Sequence, residues 1–279
     1  MREKYIKSAD ADYQKFEVLR SNRTKRYHYG EFLVEGVRSL KEAKTCGWEI
    51  KSLIYPDAPL SDWANGYIKE CNCALNYRLK PELMAKLSGK TDVSEMMAIV
   101  AMKPDMAENA LDKLVDSLPE NPMIVLFDRP SNRGNLGTLI RSADALGVSL
   151  ILTTGHSVDL YDPEVVVSAM GSFFKVPALR VSDKNALDSF IEKMREKYKK
   201  FTLLGTTAHR QHPIWTAPLD EPFMLMIGNE TMGLSAAYKE RCDFLCTIPM
   251  SEDSYATSFN VSCSATAMLY EAVRQRSMK

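Results

Sequence analysis

The chain has 279 residues, with 36 basic and 36 acidic side chains and 45% hydrophobic residues. These ordinary values exclude a disordered tail, a collagen-like repeat and a small disulfide scaffold. A formal net charge of zero excludes a uniformly basic nucleic-acid coat and leaves room for a local basic face. No apolar run approaches the ~20 residues of a membrane helix, and no secretory signal opens the sequence. We therefore expect a cytoplasmic protein.

The cysteines and histidines do not follow a metal-binding pattern. None of the six cysteines falls in a C-x-x-C pair, and no histidine pair completes a zinc-like set. We expect the cysteines to be reduced, small apolar residues. The sequence therefore predicts no bound metal.

A polar stretch between Pro104 and Pro122 divides the chain. It predicts a first domain over residues 1–107, a linker over 108–121 and a second domain over 122–279. In the first domain, short apolar runs alternate with helix-like stretches, which indicates a small α/β domain. The expected strands are 32–34, 51–55 and 96–102, and the expected helices are 37–46 and 81–87.

The alternation of strands and helices is cleaner in the second domain. Residues 123–127 (MIVLF) form an uninterrupted apolar run, typical of a parallel strand that is buried on both faces. Strands that alternate with helices indicate a mostly parallel α/β sheet. The further strands expected are 149–153, 175–181, 201–206, 223–227 and 244–248, and the helices are 135–146 and 261–275.

A cluster of basic and aromatic residues lies near the N-terminus. Its basic members are Arg20, Arg23, Lys25 and Arg26, and Tyr27 to Tyr29 follow directly. Positive charge for phosphates and aromatic faces for stacking suit single-stranded or loop RNA. A solvated loop has the same composition, so the cluster alone leaves both interpretations open.

Three segments of the second domain are candidates for a binding site. The first, residues 128–141, joins the strand 123–127 to a helix, a place where ligands bind in α/β sheets. Asn135 or a neighbour can cap this helix, and its N-terminus attracts anions. Arg141 lies ~9 Å further along the helix axis, within the helix.

The second and third segments follow later strands. Gly228 and Gly233 come directly after the strand 223–227, and they permit a tight backbone around a planar ligand. The third segment is the strand end Ile248-Pro249-Met250 and the loop that leads to the last helix. Ser258 and Asn260 are N-cap candidates for that helix. A plain strand-to-helix turn and a plain helix cap remain the alternatives.

Together, and in this order, the three segments resemble the SpoU (TrmH-like) family of RNA 2′-O-methyltransferases. The family's N-x-G-x-x-x-R motif is matched by Asn135, Gly137 and Arg141. Its second motif, G-N-E-x-x-G-L after a strand, is matched over 228–234. Its third motif, I-P-M followed by S-(L/F)-N-V-S and a helix ending in L-Y-E, is matched over 248–271.

The resemblance covers residues 122–276 and extends in part to the first domain. The segment 32–38 (FLVEGVR) is similar to the L30e-type substrate-binding domain that is common in this family, and 86–88 (KLS) agrees with it. The chain departs from the family pattern at Val167, where many members have arginine, and in the loop 251–257, which lacks the usual glycine.

The resemblance implies an α/β SPOUT domain with a mostly parallel sheet and a trefoil knot, preceded by the small α/β L30e-like domain. It further implies that S-adenosylmethionine (AdoMet) binds within the knot, largely through backbone groups of the second and third motifs. The residues implied for the cofactor are Ile227, Gly228, Asn229, Gly233, Ile248, Met250, Ser258, Phe259, Asn260 and Val261.

The implied reaction transfers a methyl group to a ribose 2′-hydroxyl of ribosomal or transfer RNA. By resemblance, Arg141 is the group that accepts the hydroxyl proton, although an arginine of ordinary pKa suits phosphate binding or alkoxide stabilisation better. Asn135 is expected to position the ribose or phosphate, and Glu230 to orient Arg141 or a residue of a second subunit. Ser258 and Asn260 are expected to hold the substrate or the loop geometry.

Two further expectations concern partners. The resemblance implies a homodimer formed through the second domain, and the apolar stripe of the last helix (Val261, Ala265, Met268, Leu269 and Ala272) suits such packing. The basic cluster Arg20, Arg23, Lys25 and Arg26, with Tyr27, is expected to contact RNA.

Two other classes of protein are alternatives to the methyltransferase. One is an RNA-binding or ribosome-assembly protein on the same scaffold that has lost catalysis. The other is an ordinary doubly wound nucleotide enzyme, which the absence of G-x-G-x-x-G disfavours.

Overall fold

The structure is a computed structural model that describes residues 2–103, 108–208 and 212–278. The chain divides into two compact units. The first comprises Met1–Pro104 and Tyr161–Lys175, and the second comprises Asp105–Leu160 and Val176–Lys279.

The elements are numbered in chain order. The strands are β1 (Arg2–Ile6), β2 (Glu31–Glu35), β3 (Ile50–Pro56), β4 (Leu75–Leu79), β5 (Met97–Ala101), β6 (Met123–Asp128), β7 (Leu150–Thr154), β8 (Ala178–Val181), β9 (Thr202–Thr206), β10 (His212–Pro213), β11 (Phe223–Ile227) and β12 (Phe244–Thr247). The helices are α1 (Ala11–Ser21), α2 (Arg23–Tyr29), α3 (Val37–Thr45), α4 (Asp62–Cys71), α5 (Pro81–Ser88), α6 (Glu108–Ser117), α7 (Arg133–Ala145), α8 (Pro163–Ser168), α9 (Lys184–Lys197), α10 (Ala236–Lys239) and α11 (Val261–Arg276).

The first unit is built on a mixed sheet with the strand order β1-β4-β3-β5-β2. Strand β5 runs antiparallel to β2 and β3, whereas β4 runs parallel to β1 and β3. Helix α1 places Tyr13, Phe16 and Leu19 on one buried face because these residues recur every three positions. They pack with Ile54 and Ile99 of the sheet into one hydrophobic core.

The second unit is built on a sheet with the order β10-β12-β9-β11-β6-β7-β8, and neighbouring strands pair in parallel. Every residue of the central strands β6 and β11 is buried, which explains their uninterrupted apolar sequences. The predicted mostly parallel α/β sheet is therefore confirmed. The trefoil knot that the resemblance implies stays a prediction.

The segment 108–121 differs from the linker that the sequence predicts. It contains helix α6, whose Leu111 and Val115 are 5% and 4% exposed and belong to the core of the second unit. Leu114 of the same helix, and Leu118 directly after it, also pack against this core. Lys197 of α9 donates to the carbonyl oxygen of Val115 at 2.6 Å and fastens the end of α6.

The segment Tyr161–Lys175 belongs to the first unit, although the predicted boundaries place it in the second. Its Phe173 and Phe174 form an aromatic cluster with Phe32 of β2 and with Trp48. The Trp48 indole N–H donates to the carbonyl oxygen of Phe174 at 2.9 Å. The first unit therefore contains two separate stretches of the chain, joined by the contacts of this cluster.

Candidate functional site

A buried carboxylate joins the loops at the carboxyl ends of the central strands. Asp128, the last residue of β6, is 2% exposed and accepts from Arg129 Nε at 3.0 Å and Nη2 at 2.9 Å. It also accepts from the Ser235 N–H at 3.1 Å and from the Thr154 hydroxyl at 3.3 Å. Arg129 in turn donates to the Gly233 carbonyl oxygen at 3.2 Å. The Asp128–Arg129 pair therefore connects the loop after β6, the end of β7 and the loop after β11. The sequence alone did not predict this pair.

The loop after β11 closes on itself in a narrow hairpin. Asn229 and Gly233 exchange two backbone hydrogen bonds, at 3.1 and 2.9 Å, and the Asn229 side chain accepts from the Thr231 N–H at 3.0 Å. At Gly228, a Cβ atom would lie 1.9 Å from the Leu234 nitrogen, so only glycine fits. Gly233 has a φ of +66°, in the left-handed region. The predicted tight backbone is present at both glycines.

Glu230 connects this hairpin to the start of α7. Its carboxylate accepts from the backbone N–H groups of Ser131 (3.0 Å) and Asn132 (3.1 Å), from the Ser131 hydroxyl (2.6 Å) and from Asn135 Nδ2 (3.3 Å). Burial raises the pKa of the Glu230 carboxyl, but these hydrogen bonds outweigh it and hold the pKa below its usual value. Glu230 is therefore an ionised anchor for the first motif, and Asn132 caps α7 through the Asn135 N–H.

Asn135 links all three motifs. Its amide group donates to Glu230 and its oxygen accepts from Asn260 Nδ2 at 3.0 Å. Asn260 is also the N-cap of α11, because its side-chain oxygen accepts from the Ser262 and Cys263 N–H groups. The plain helix cap, which was the alternative interpretation of Asn260, is thus present. The same Asn260 side chain also donates a hydrogen bond to Asn135.

Arg141 lies on an exposed face of α7. Within the described residues its side chain makes no hydrogen bond or ion pair, and Glu230 bonds the loop before α7 instead. The expected orientation of Arg141 by Glu230 is therefore absent from this structure.

Ser258 is exposed in the loop before α11, as are all residues from 251 to 260.

A cavity of about 320 Å³ opens between these loops, a size typical of small-molecule sites. Of the residues predicted for the cofactor, eight line it and two do not. Ile227 is buried in β11, and Asn260 turns to Asn135. The predicted residues on its wall are Gly228, Asn229, Gly233, Ile248, Met250, Ser258, Phe259 and Val261.

Further lining residues come from strand ends that the sequence did not single out. Thr206 ends β9, Thr207 and Ala208 follow it, and Thr247 ends β12. The rule that ligands bind at the carboxyl ends of parallel strands could have found them. Lys239 at the end of α10 also lines the cavity.

The basic cluster of the first unit is not a uniform exposed surface. Arg26 is 1% exposed, and its guanidinium donates to the carbonyl oxygens of Leu19 at 2.9 Å and Arg20 at 3.0 Å. The prediction that Arg26 contacts RNA is therefore wrong in this structure. Arg20 bonds the Leu87 carbonyl oxygen, and the Tyr27 ring packs edge-on against Tyr161.

Arg23 and Lys25 remain at the surface of this cluster. Lys25 is exposed, and the guanidinium of Arg23 lies 5.6 Å from the Tyr27 ring centroid. Tyr29 is 42% exposed, with the Lys15 ammonium 5.0 Å from its ring centroid. The accessible part of the cluster is thus smaller than predicted.

The apolar stripe of α11 is buried inside the second unit. Ala265, Met268, Leu269 and Ala272 are at most 3% exposed, and α11 packs against α7. The stripe is therefore not available to a second subunit, contrary to the expectation. A different face is open: an apolar groove formed with α7 and lined by Ser142, Ala145, Leu146, Cys263, Thr266, Ala267 and Tyr270.

Two classes of feature are not seen in the part of the chain that the structure describes. No group of three or more His, Cys, Asp or Glu side chains there could hold a metal ion. No described helix is long and apolar enough to cross a membrane.

Comparison with known proteins gives the class of this fold and site. The model of the SpoU rRNA methylase family matches residues 122–270, and that of the SpoU L30e-like domain matches 10–98. The chain is 39% identical to the 23S rRNA (uridine(2479)-2′-O)-methyltransferase of Streptomyces viridochromogenes over 97% of its own length and 92% of the relative's. The 23S rRNA (guanosine(2553)-2′-O)-methyltransferase RlmP of Bacillus subtilis is 27% identical, over 86% and 87%.

Solved structures agree with these relatives. The SpoU methyltransferase AviRb of S. viridochromogenes, in complex with the cofactor AdoMet, superposes with a TM-score of 0.87 at 38% identity and covers 97% of this chain and 100% of its own. The AdoMet-bound rRNA methyltransferase of Sinorhizobium meliloti gives 0.81 at 25% identity, with 98% of both chains covered. The protein belongs to the SpoU rRNA methylase family, and the resemblance in its sequence is confirmed.

Proposed function

We propose that this protein transfers a methyl group from AdoMet to a ribose 2′-hydroxyl of 23S ribosomal RNA, in the cytoplasm. The choice of ribosomal over transfer RNA follows the relatives, which are named as 23S rRNA 2′-O-methyltransferases. The observation that carries the proposal is the hydrogen-bonded line Glu230–Asn135–Asn260, which joins three distant motifs beside one cavity.

The cavity residues fit AdoMet. Gly228 and Gly233 line the cavity without side chains, so a ligand can contact the backbone there, and the strand ends supply hydroxyl and carbonyl groups. Gly228, Ile248, Met250 and Phe259 would hold the cofactor. When bound, AdoMet supplies an electrophilic methyl group on a sulfonium.

The chain's own residues then position the ribose. Asn135 is fixed on both sides by Glu230 and Asn260, so its place at the start of α7 is preorganised. Arg141 carries a fixed positive charge on the exposed face of the same helix, where it can bind the RNA phosphate or stabilise the alkoxide. A positioned hydroxyl needs no covalent enzyme intermediate.

The proposed function is tested by incubating the purified protein, labelled AdoMet and unmodified 23S rRNA, and then mapping 2′-O-methylated nucleotides. We expect one or a few methylated positions, and none with transfer RNA. AdoMet binding without any methyl transfer would contradict the proposal and support the RNA-binding alternative.

We also propose that the protein is a homodimer that pairs through the open groove between α7 and α11. Tyr270 in this groove is 62% exposed, and exposed aromatic side chains mark association surfaces. We expect light scattering to return twice the chain mass for the native protein and the single chain mass for Tyr270→Glu, because a carboxylate cannot be buried there unpaired.

Trp215→Glu is the matched control for Tyr270→Glu. Trp215 is 54% exposed but lies outside this groove, so the same type of substitution should leave the dimer intact. A native protein that is monomeric at micromolar concentration, or a dimeric Tyr270→Glu variant, would contradict the proposed interface.

The first unit is proposed to supply RNA affinity through Arg23 and Lys25. Its two stretches, 1–104 and 161–175, contain 19 basic and 16 acidic side chains, whereas the second unit contains 17 and 20. We expect Arg23→Ala/Lys25→Ala to weaken binding to many RNA sequences and to lower the log–log salt slope by about 0.7 for each phosphate that the variant no longer binds. Filter binding at several salt concentrations measures this slope.

Lys69→Ala/Lys80→Ala is the control for this pair. Both lysines are exposed in the first unit, so the control removes the same charge from another part of its surface. Equal salt slopes for the Arg23/Lys25 variant and the native protein would mean that this cluster does not contact RNA. Arg26 is left unchanged because its removal would leave buried carbonyl oxygens without donors.

A further inference from the structure

The charged residues on the cavity wall are few and of opposite sign. Among the described residues that line it, only Glu230 and Lys239 have acidic or basic side chains. The carboxylate of Glu230 is engaged by Ser131, Asn132 and Asn135. Lys239 makes no side-chain hydrogen bond or ion pair with any described residue. The cavity therefore presents one cation whose charge is not compensated within the described part of the chain.

Both charges come from the segment that follows β11. Glu230 lies in the hairpin and is bonded to the loop that follows β6, whereas Lys239 ends α10. The remaining groups near the strand ends, such as Thr206 and Thr247, are neutral hydroxyls that can hydrogen-bond an ammonium but cannot neutralise it.

A ligand with an anionic group is the chemical complement of Lys239. AdoMet carries a cationic sulfonium, a cationic ammonium and one carboxylate, so the carboxylate is its only group that attracts the lysine by charge. We propose that Lys239 binds the carboxylate of the amino-acid part of AdoMet and thereby sets the orientation of the cofactor in the cavity. This inference rests on the proposed function.

The experiment compares ligands with and without this carboxylate. AdoMet and S-adenosylhomocysteine contain it, whereas 5′-methylthioadenosine has the same nucleoside and lacks the whole amino-acid part. Calorimetric titration gives the affinity of each ligand for the full-length native protein and for Lys239→Met, Lys239→Arg and Lys199→Met. Lys199 is exposed and lies outside the cavity lining, so its variant controls for the change in net charge.

We expect Lys239→Met to weaken AdoMet and S-adenosylhomocysteine about ten- to a hundredfold, the range of a charge-assisted hydrogen bond. The affinity of Lys239→Met for 5′-methylthioadenosine should match that of the native protein. Lys239→Arg should restore most of the affinity for AdoMet, and Lys199→Met should behave like the native protein for all three ligands.

Equal weakening of all three ligands by Lys239→Met would overturn the inference, since the lysine would then act on the nucleoside or on the fold. Unchanged AdoMet affinity in Lys239→Met would overturn it as well. A native protein that binds none of the three ligands would contradict the proposed function itself. Failure of the proposed function is therefore distinguishable from failure of the inference about Lys239.

Discussion

Replacement of Gly228 by alanine should weaken AdoMet binding about a hundredfold or more. The added Cβ would lie 1.9 Å from the Leu234 nitrogen and 2.1 Å from the Gly233 carbonyl carbon, and backbone atoms cannot move aside as a flexible side chain can. Overpacking of this kind costs about 3 kcal/mol or more. If the hairpin opens to relieve the clash, the affinity for AdoMet decreases about a hundredfold. Calorimetric titration with AdoMet measures the decrease in affinity.

Gly233→Ala provides a graded comparison within the same hairpin. No atom lies within 4 Å of a Cβ at Gly233, so only its φ of +66° opposes the substitution. Such strain costs about 1 kcal/mol, or about fivefold in affinity. A thermal melt of each variant shows whether the sheet is retained. A folded Gly228→Ala protein with native AdoMet affinity would show that the cofactor does not bind in this cavity.

Replacement of Arg141 by alanine should reduce methyl transfer by about a hundred- to a thousandfold, the cost of removing one charged contact to a developing oxyanion. AdoMet affinity should stay within about twofold, because Arg141 lies outside the cavity lining. Arg141→Lys should also fail, since lysine lacks the planar fork that binds phosphate in two places. Single-turnover rates with saturating AdoMet and RNA measure the methyl-transfer step.

Arg195→Ala is the control for Arg141→Ala. Arg195 is an exposed arginine of the same unit that pairs with Asp243 at 3.0 Å, away from the motifs. The Arg195→Ala variant should methylate RNA at the native rate. Near-native turnover by either Arg141 variant would exclude this residue as the charged group of the reaction.

The regular elements that the sequence predicts well are those with strong local signals. The run 123–127 became β6 and 223–227 became β11, because strands buried on both faces must be apolar throughout. Strands β1 and β4 were not predicted. The β1 sequence, REKYI, mixes charged and apolar residues because β1 is the edge strand of the sheet and exposes most of its side chains. The β4 sequence, LNYRL, is interrupted by the polar residues Asn76 and Arg78, although β4 is an internal strand.

Side-chain environments were harder to predict than elements. Arg26 has the sequence context of a surface residue, and only the folded α1–α2 turn brings the Leu19 and Arg20 carbonyl oxygens to it. The role of Asp128 depends on Thr154 at the end of β7 and on Ser235 before α10, which is 107 residues away in the chain. Periodicity carries no information about such distant contacts. The motif residues were found through family resemblance, because a single sequence does not show that these loops converge.

The aromatic cluster of the first unit has a consequence for the order in which the protein is made. Phe32 and Trp48 emerge early from the ribosome, but their partners Phe173 and Phe174 are synthesised more than a hundred residues later. At 5–20 residues per second, the 71 residues from Pro104 to Lys175 take about 4 to 14 seconds. During this interval Phe32 and Trp48 lack their Phe173 and Phe174 partners, so the aromatic cluster cannot be completed. The speed of translation along this stretch therefore sets the earliest time at which the first unit can reach its final packing.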